Sequence, residues 1–440
     1  MTIQIFTVGG YQEIGRNMTA VKVDDDVIIL DIGLHLEHYI QYSDDDNNIL
    51  TVKTLGRAGA IPNVEPIEHL IKNVRAIIPS HAHLDHCGAI PFLANHFNAE
   101  VLCTPFTKNV LDAIITDQKK KLKKKIIGIP PNHKHKINEN ITIELINVTH
   151  STPQTSIIAV HTRYGTILYA NDFKLDETPT LGEKTNLARL KEIGNSGKVI
   201  CLIMECLYAD MNDKMPSELI AKQMLEQAVE ECDKDNALII TTFSSHIARL
   251  KTIKEIAKKH KRKPVFLGRS MHKYIMAAED TGLINFKDSE VINFKSLVKK
   301  KLRKIMQDGK EKYLIVCTGH QGEKRSVLYT IMKQEGFLEQ GDVVIFSSNV
   351  IPTETTIKNR EEMEIQLKFK KVRILKDIHV SGHAGGKDLE EVIKITKPKY
   401  LIPAHADLPR METLKRIAMR NGVKDKNIIM AKEGDVFEVA

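Results

Sequence analysis

Tryptophan is absent from this 440-residue chain, and aromatic residues make up only 5% of it. Broad platforms of indole rings are therefore excluded from whatever it binds. Its six cysteines, Cys87, Cys103, Cys201, Cys206, Cys232 and Cys317, form no CxxC pair, which argues against a disulfide framework and against a thiolate metal knuckle. No apolar run approaches the roughly 20 residues that a membrane span needs. The N-terminus lacks the basic, then apolar, then small-residue order of a secretory leader. A reduced, cytoplasmic protein that leaves membranes alone is the expectation.

What is present is ordinary bulk and one unusual cluster. At 42% hydrophobic and 27% charged, the chain can bury a real core, and its length suggests two or three lobes. The net charge of +8 is a mild pointer to a polyanionic partner. Between Gln118 and Lys125 six of eight residues are lysine. A solvated helix face is the first reading of that run, a phosphate-contacting ridge the second.

Apolar strand candidates punctuate the first half: Ile3–Val8, Thr19–Leu30, Ala76–Pro79, Glu100–Cys103, Ile141–Val148, Ser156–Val160 and Thr166–Ala170. Gly9-Gly10 separates the first two, and the polar stretch Ser43–Asn48 reads as a loop insertion. From Val199, strand candidates Val199–Met204, Ala237–Thr242, Pro264–Leu267, Tyr313–Cys317 and Val343–Phe346 alternate with amphipathic stretches such as Ser217–Cys232. Such alternation predicts a parallel sheet covered by helices, with ligands at the carboxyl ends of its strands. Near Val372 histidine-bearing loops return, at Ser381-Gly382-His383 and at Pro403-Ala404-His405 after the strand Tyr400–Ile402. The predicted plan is a metal domain in two pieces, 1–198 and 356–440, with an α/β domain inserted at 199–355.

The unusual cluster is His81-Ala82-His83-Leu84-Asp85-His86. A lone histidine is more often a satisfied core or surface residue than a ligand, but three histidines and an aspartate within six residues are not explained that way. In a loop after a strand, His81 and His83 can converge on one ion while Asp85 and His86 turn toward a second. Imidazole and carboxylate suit zinc, and manganese is compatible with the same donors. Four residues cannot close two sites. His150, Asp172 and His405, each beside a strand end, would supply a ligand for the first ion, a carboxylate bridging both, and a ligand for the second.

These residues, with Asp31, resemble the motifs of the metallo-β-lactamase fold, a four-layer αββα architecture. The inserted α/β block, Glu205, His383 and His405 resemble its β-CASP branch, which acts on nucleic acids; histidine at 405 is similar to the RNA-cutting side of that branch. Within it, Thr242-Phe243-Ser244-Ser245-His246, Gly268-Arg269-Ser270-Met271, Thr318-Gly319-His320-Gln321-Gly322-Glu323 and Phe346-Ser347-Ser348-Asn349 resemble ribonuclease J of the archaeal type, over nearly the whole chain. By that resemblance the long C-terminal domain of many bacterial members is expected to be missing. Asn171 stands where glycine is usual, and Cys206-Leu207 where Ser-Thr is usual; neither touches a ligand position.

The resemblance implies a 5′-to-3′ exoribonuclease with two zinc ions, acting on single-stranded RNA with a 5′ monophosphate. His81, His83 and His150 would hold one ion, Asp85, His86 and His405 the other, and Asp172 both. Asp31 would fix the tautomer of a ligand histidine. His383, held by Glu205, would contact the scissile phosphate and protonate the leaving 3′ oxygen. Ser244, Ser245, His246, Arg269, Ser270, Ser381 and Gly382 would contact substrate, with the 5′ phosphate among them; for the inserted-domain group, turn and N-cap roles are the competing reading. Bases would stack on Phe243, Tyr208 or a histidine, and a homodimer is implied. The rival readings are an endoribonuclease of the RNA 3′-processing type, disfavoured because the catalytic fold starts at Ile3, a small-molecule metallo-hydrolase, and a non-catalytic RNA-binding scaffold.

Overall fold

Successive apolar residues in the first strand face opposite ways. Ile3 and Ile5 join one core, Phe6 and Val8 another. The same split divides Ile28 and Leu30 from Val27 and Ile29, so both faces of the sheet are covered and its strands read as unbroken apolar runs. The structure is a computed structural model describing residues 2–43, 49–351 and 353–440. Its chain divides into two compact units: Met1–Glu177 with Glu183–Met215 and Gly382–Ala440, and Thr178–Gly182 with Pro216–Ser381.

The first unit holds two sheets. One has seven strands, in the order Val436–Glu438, Ile3–Gly9, Met18–Val23, Asp26–Leu30, Val74–Ile78, Glu100–Cys103 and Ile126–Gly128. The other has six, in the order Tyr400–Ala404, Val199–Glu205, Gly165–Ala170, Ser156–Thr162, Ile141–Asn147 and His133–Lys136. One buried core joins residues of both sheets, such as Ile5, Leu30 and Ile78 with Ile143, Ile167 and Ile203. The helices Ile90–Phe97 and Pro105–Asp117 cover the outer face of the first sheet. Leu187–Asn195, Gly386–Thr396 and Leu408–Arg420 cover the outer face of the second. This is the expected αββα layering.

The second unit is a parallel sheet of six strands, in the order Glu290–Ile292, Lys263–Leu267, Tyr313–Cys317, Leu238–Thr241, Val343–Phe346 and Arg373–Leu375. Parallel neighbours require crossovers, and helices such as Ile247–Lys259, Arg269–Asp280 and Lys295–Asp308 provide them. Among the described residues no helix is long and apolar enough to cross a membrane.

Three expectations differ from this arrangement. The single strand read over Thr19–Leu30 is a hairpin, Met18–Val23 against Asp26–Leu30, in which Val23 pairs with Asp26. Asp24 turns the chain at φ 51°, a left-handed conformation that aspartate tolerates better than most residues. Val199–Glu205 was assigned to the inserted block, but it pairs in parallel with Gly165–Ala170 and with Tyr400–Ala404 of the first unit. The units accordingly part at 215/216 and 381/382, not at 198/199 and 355/356. The lysine run is not a helix face, because the helix Pro105–Asp117 ends before it and Lys119 has φ 53°. Of the loop insertion at Ser43–Asn48, Ser43 ends the helix Leu36–Ser43 and 44–48 lie outside the described residues.

Candidate metal centre

The ends of Asp26–Leu30, Val74–Ile78, Ile141–Asn147, Gly165–Ala170 and Tyr400–Ala404 converge in the first unit, and three of the residues there turn sharply. Asp31, Asp172 and His405 have φ of 58°, 61° and 56°. Left-handed backbone in non-glycine residues costs energy and gathers at functional sites. After the strand Val74–Ile78, His83 caps a single helical turn, Leu84–Cys87, which carries Asp85 and His86 back toward the strand ends. The segment after Asp31 runs hard against that turn: Ile32 N–H donates to the His86 carbonyl at 2.8 Å. A Cβ on Gly33 would lie 1.7 Å from the Asp85 carbonyl oxygen, so only glycine allows the approach.

Two donor groups result, sharing Asp172: His81, His83, His150 and Asp172, and Asp85, His86, Asp172 and His405. Within each, the candidate ligand atoms all lie within 4.8 Å of one another. His81 Nε2 and His150 Nε2 are 2.9 and 3.1 Å from His83 Nδ1. Asp172 Oδ2 stands 3.4 Å from His81, 3.2 Å from His86 and 3.5 Å from His150, while its Oδ1 is 3.7 Å from His405. Every one of the seven positions expected to ligate belongs to one group or both.

The outward nitrogens of these histidines are held from behind. Asp31 Oδ2 is 2.7 Å from His86 Nδ1, and the Gly382 carbonyl is 2.7 Å from His150 Nδ1. A Cβ on Gly382 would sit 2.9 Å from that same His150 nitrogen, so glycine is required there too. A third group joins Asp172, Glu205 and His383. Fully buried Glu205, at the end of Val199–Glu205, takes His383 Nδ1 at 2.7 Å and the Phe173 N–H at 2.8 Å.

Burial, with His86 nearby, brings His81 down to about 3. Burial and then His81 hold His150 well below the imidazole range, and burial lowers His405. For Asp172 burial works the other way but is outweighed by His86, His383 and His405, which keep it well below the carboxylate range. Burial opposes protonation of His86 as well, yet Asp172, Asp31 and Asp85 raise it well above the usual value. Asp172 Oδ1 is buried without a hydrogen-bond partner, a state that costs free energy unless something else satisfies it. The buried Asp172 with its unsatisfied oxygen, the half-buried Asp85 and the imidazoles that burial holds low at His81, His150 and His405 together fit a pair of divalent cations.

The substrate residues expected in the inserted domain lie on one edge of the second unit's sheet, since the segments after its parallel strands share a side. Ser244 and Ser245 follow Leu238–Thr241; Arg269 and Ser270 open the helix after Lys263–Leu267. His246 has structural work there, capping Ile247–Lys259 by accepting from the Arg249 N–H and lying 3.4 Å from Glu218. Ser381 is buried at the end of that unit. Four residues that support the centre were not assigned to it from sequence, Asn171 having been noted only as a departure from the usual glycine. Ser80 donates its N–H to Asp31 at 2.6 Å, Tyr169 its hydroxyl at 2.9 Å, and Asn17 and Asn171 lie behind His405. Asn17 sits between two strands, where asparagine reads as a turn residue, and Tyr169 within an apolar strand reads as core.

Three family models match: "Metallo-beta-lactamase superfamily" over residues 12–198, "Ribonuclease J, beta-CASP domain" over 235–362, and "Zn-dependent metallo-hydrolase RNA specificity domain" over 370–430. Ribonuclease J of Methanocaldococcus jannaschii is 39% identical over 429 residues, 96% of each chain. The chain belongs to the ribonuclease J family. Ribonuclease J of Pyrococcus abyssi is 37% identical over 99% of this chain and 97% of its own. Ribonuclease J 1 of Streptococcus pyogenes is 30% identical over 99% of this chain and 74% of its own. Among solved structures, a protein of unknown function from Enterococcus faecalis V583 shares the fold over 100% of both chains, with a TM-score of 0.68 at 18% identity. The ribonuclease J family comprises hydrolytic nucleases built on metallo-β-lactamase and β-CASP domains; His81, His83, Asp85, His86, His150 and Asp172 lie in the segment matched to the former, and His383 and His405 in the segment matched to the RNA specificity domain.

Proposed function

We propose that this chain is a zinc-dependent exoribonuclease that removes nucleotides from the 5′ end of single-stranded RNA and favours a 5′ monophosphate. The observation that carries the reading is the sharing of Asp172 by two donor groups, with the His383–Glu205 pair on the same carboxylate. His81, His83 and His150 would hold one ion, Asp85, His86 and His405 the other, and Asp172 would serve both. Imidazole nitrogen with carboxylate oxygen is a donor set suited to zinc, with manganese compatible. Two cations bound there would supply charge neutralisation at the phosphate and acidify a water enough to attack near neutral pH.

The chain's own groups orient and move protons. Asp31 and the Gly382 carbonyl each accept an Nδ1–H, which leaves Nε2 of His86 and His150 with its lone pair toward the centre. His383 donates its Nδ1–H to Glu205, so its Nε2–H is the proton available for transfer. Burial opposes the charged form of His383, but Glu205 and then Asp172 overcome it and raise the group to about 9. It therefore carries a proton at neutral pH and gives it to the departing 3′ oxygen as the phosphorus–oxygen bond breaks. Cleavage after the first nucleotide frees a mononucleotide and leaves a new 5′ phosphate on the shortened RNA, ready for the next round.

Ser244, Ser245, His246, Arg269 and Ser270 are the groups proposed for the terminal phosphate, as hydroxyls and a guanidinium at a parallel sheet's carboxyl edge suit it. Ser381 and Gly382 are proposed to meet the RNA backbone beside His383. Six unpaired cysteines support a cytoplasmic location, and a homodimer follows from the family resemblance. The test is RNA labelled at its 5′ end, offered with a monophosphate or a triphosphate. Prompt release of labelled mononucleotide, faster from the monophosphate, is expected. Labelled fragments of intermediate length would overturn exonuclease action and favour the endonuclease.

A further inference from the structure

The outer partners of the two donor groups differ in kind. In the first, His81 Nδ1 meets Ser80 Oγ at 3.0 Å, His150 Nδ1 the Gly382 carbonyl at 2.7 Å, and His83 Nε2 Ser151 Oγ at 3.2 Å. The contacts at His150 and His83 are separate and local, and only that at His81 leads further, through Ser80 to Asp31. In the second, one continuous set of hydrogen bonds runs behind both histidines. Asp31 takes His86 Nδ1, and its Oδ2 also accepts the Tyr169 hydroxyl at 2.9 Å. The Asn171 Nδ2 donates to that hydroxyl at 2.9 Å and to Asn17 Oδ1 at 3.1 Å. Asn17 in turn anchors to the Asp85 carbonyl through Nδ2 at 3.0 Å.

At the far end lies His405, its Nδ1 3.0 Å from Asn17 Oδ1 and 2.7 Å from Asn17 Nδ2. In the tautomer that binds an ion through Nε2, His405 donates its Nδ1–H to Asn17 Oδ1 and its Nε2 lone pair faces Asp172. Both amide atoms of Asn17 lie against His405 Nδ1, with the Gly15 N–H directed to it at 3.4 Å, and Asn171, by donating to Oδ1, fixes the orientation in which the Asn17 amide meets that nitrogen. Its own Oδ1 is buried with no partner, a standing cost that an apolar residue would escape. The worth of Asn171 therefore lies in its two donated hydrogens. Ser80 Oγ also touches Asp31, at 3.0 Å, so the Asp31 end is shared between the groups. Asn171 and Asn17 serve the second group alone.

We propose that Asn171 is a positioning residue that sets His86 and His405 as one unit, through Tyr169 on one side and Asn17 on the other, and so governs how tightly the second group keeps its ion. The proposal rests on the two-metal reading above. Loss of the Asn171 amide weakens the ion held by Asp85, His86, Asp172 and His405 and spares the one held by His81, His83, His150 and Asp172.

The experiment titrates metal-free full-length protein with zinc against a chromophoric chelator, with bound metal counted by elemental analysis. Wild type is expected to take two ions in resolvable steps. In Asn171→Ala one step weakens by about 10- to 100-fold, the usual cost of losing an outer partner, while the other moves by less than about twofold. Tyr169→Phe, which keeps the ring in the core, weakens the same step and guards against misfolding of the first variant. The double variant loses no more than the worse single, because one connection has been cut twice. Ser151→Ala, beside His83, weakens the opposite step. Equal weakening of both steps by Asn171→Ala, or none, overturns the proposal while wild-type binding of two ions leaves the metal reading standing. Wild type that takes up fewer than two ions overturns both.

Discussion

Buried charge is handled in two ways in this chain. In the second unit, Arg249 is fully buried and spends its guanidinium on protein: Glu218 Oε1 at 2.6 Å, Glu218 Oε2 at 2.9 Å, the Ser347 carbonyl at 3.0 Å and Ser347 Oγ at 2.6 Å. Charge meets charge there, and the remaining hydrogens go to neutral oxygens. In the first unit, Asp172 is as deeply buried but faces imidazoles at 3.2–3.8 Å, and its Oδ1 has no hydrogen bond. The first arrangement is closed; the second is left a partner short, and a cation would fit it. A buried polar network that satisfies itself serves the fold; one left a partner short points to a ligand.

The largest effect should follow from cutting the shared carboxylate. Asp172→Ala takes a donor from both groups at once, so turnover on 5′-labelled RNA should fall by far more than the roughly 10- to 100-fold that loss of an outer partner costs. Zinc retained after gel filtration should fall below one ion per chain. Turnover within about tenfold of wild type would refute the shared role of Asp172. The matching cut in the closed cluster, Arg249→Leu, strands Glu218 in the core and should cost about 3–5 kcal/mol in urea unfolding. Zinc content should be untouched. If Arg249→Leu instead lowered zinc binding at unchanged stability, the contrast between the clusters would be lost.

A smaller effect separates chemistry from metal binding within the first unit. Glu205→Gln keeps the size of the side chain but removes the charge that raises His383. Turnover should drop by about a hundredfold, at the lower end of what a general acid supplies, with two zinc ions still bound. The alkaline limb of its rate profile should also move to lower pH, because His383 then loses its proton sooner.

The two clusters were not equally legible. His81–His86 is contiguous, so its chemistry shows in any reading, and His150, Asp172 and His405 stand out as polar residues at the ends of apolar strands. Their grouping around one carboxylate depends on strand ends that meet only once the sheets have formed. Val199–Glu205 looked like the start of the inserted block because its alternation says nothing about which partner it pairs with. That partner, Tyr400–Ala404, lies far along the chain. Tyr169 was invisible for another reason: an apolar strand hides a hydroxyl whose value lies in what it touches. Asn171 showed only as a departure from the usual glycine, because its two hydrogen-bond acceptors, Tyr169 and Asn17, meet it only in the fold. Arg249 and Glu218 sit in amphipathic helical text, where charges read as solvent-facing, and burial decides otherwise.

The closed cluster has neighbours that allow the gentlest test of the comparison. His320 and His379 lie in the second unit. Burial, with Arg360 beside one and Arg249 beside the other, brings both down to about 3. The unfolded chain binds protons at these positions near pH 6.5, so their neutral forms contribute stability that is complete above that value and is lost as pH falls toward 3. Each should add a slope of about 1.4 kcal/mol per pH unit through this window. Glu218 adds nothing until lower pH: burial alone would raise it, but His246 and Arg249 keep it well below its ordinary value of 4.5, so its contribution fades only beneath that. Between pH 6 and 5 the slope therefore belongs to imidazoles. His320→Phe, which keeps a ring against Phe243 (centroids 4.2 Å apart), should remove one histidine's share of the fall in the second unit's unfolding transition. An unchanged slope would mean that His320 takes up its proton while folded and is not held neutral by the core.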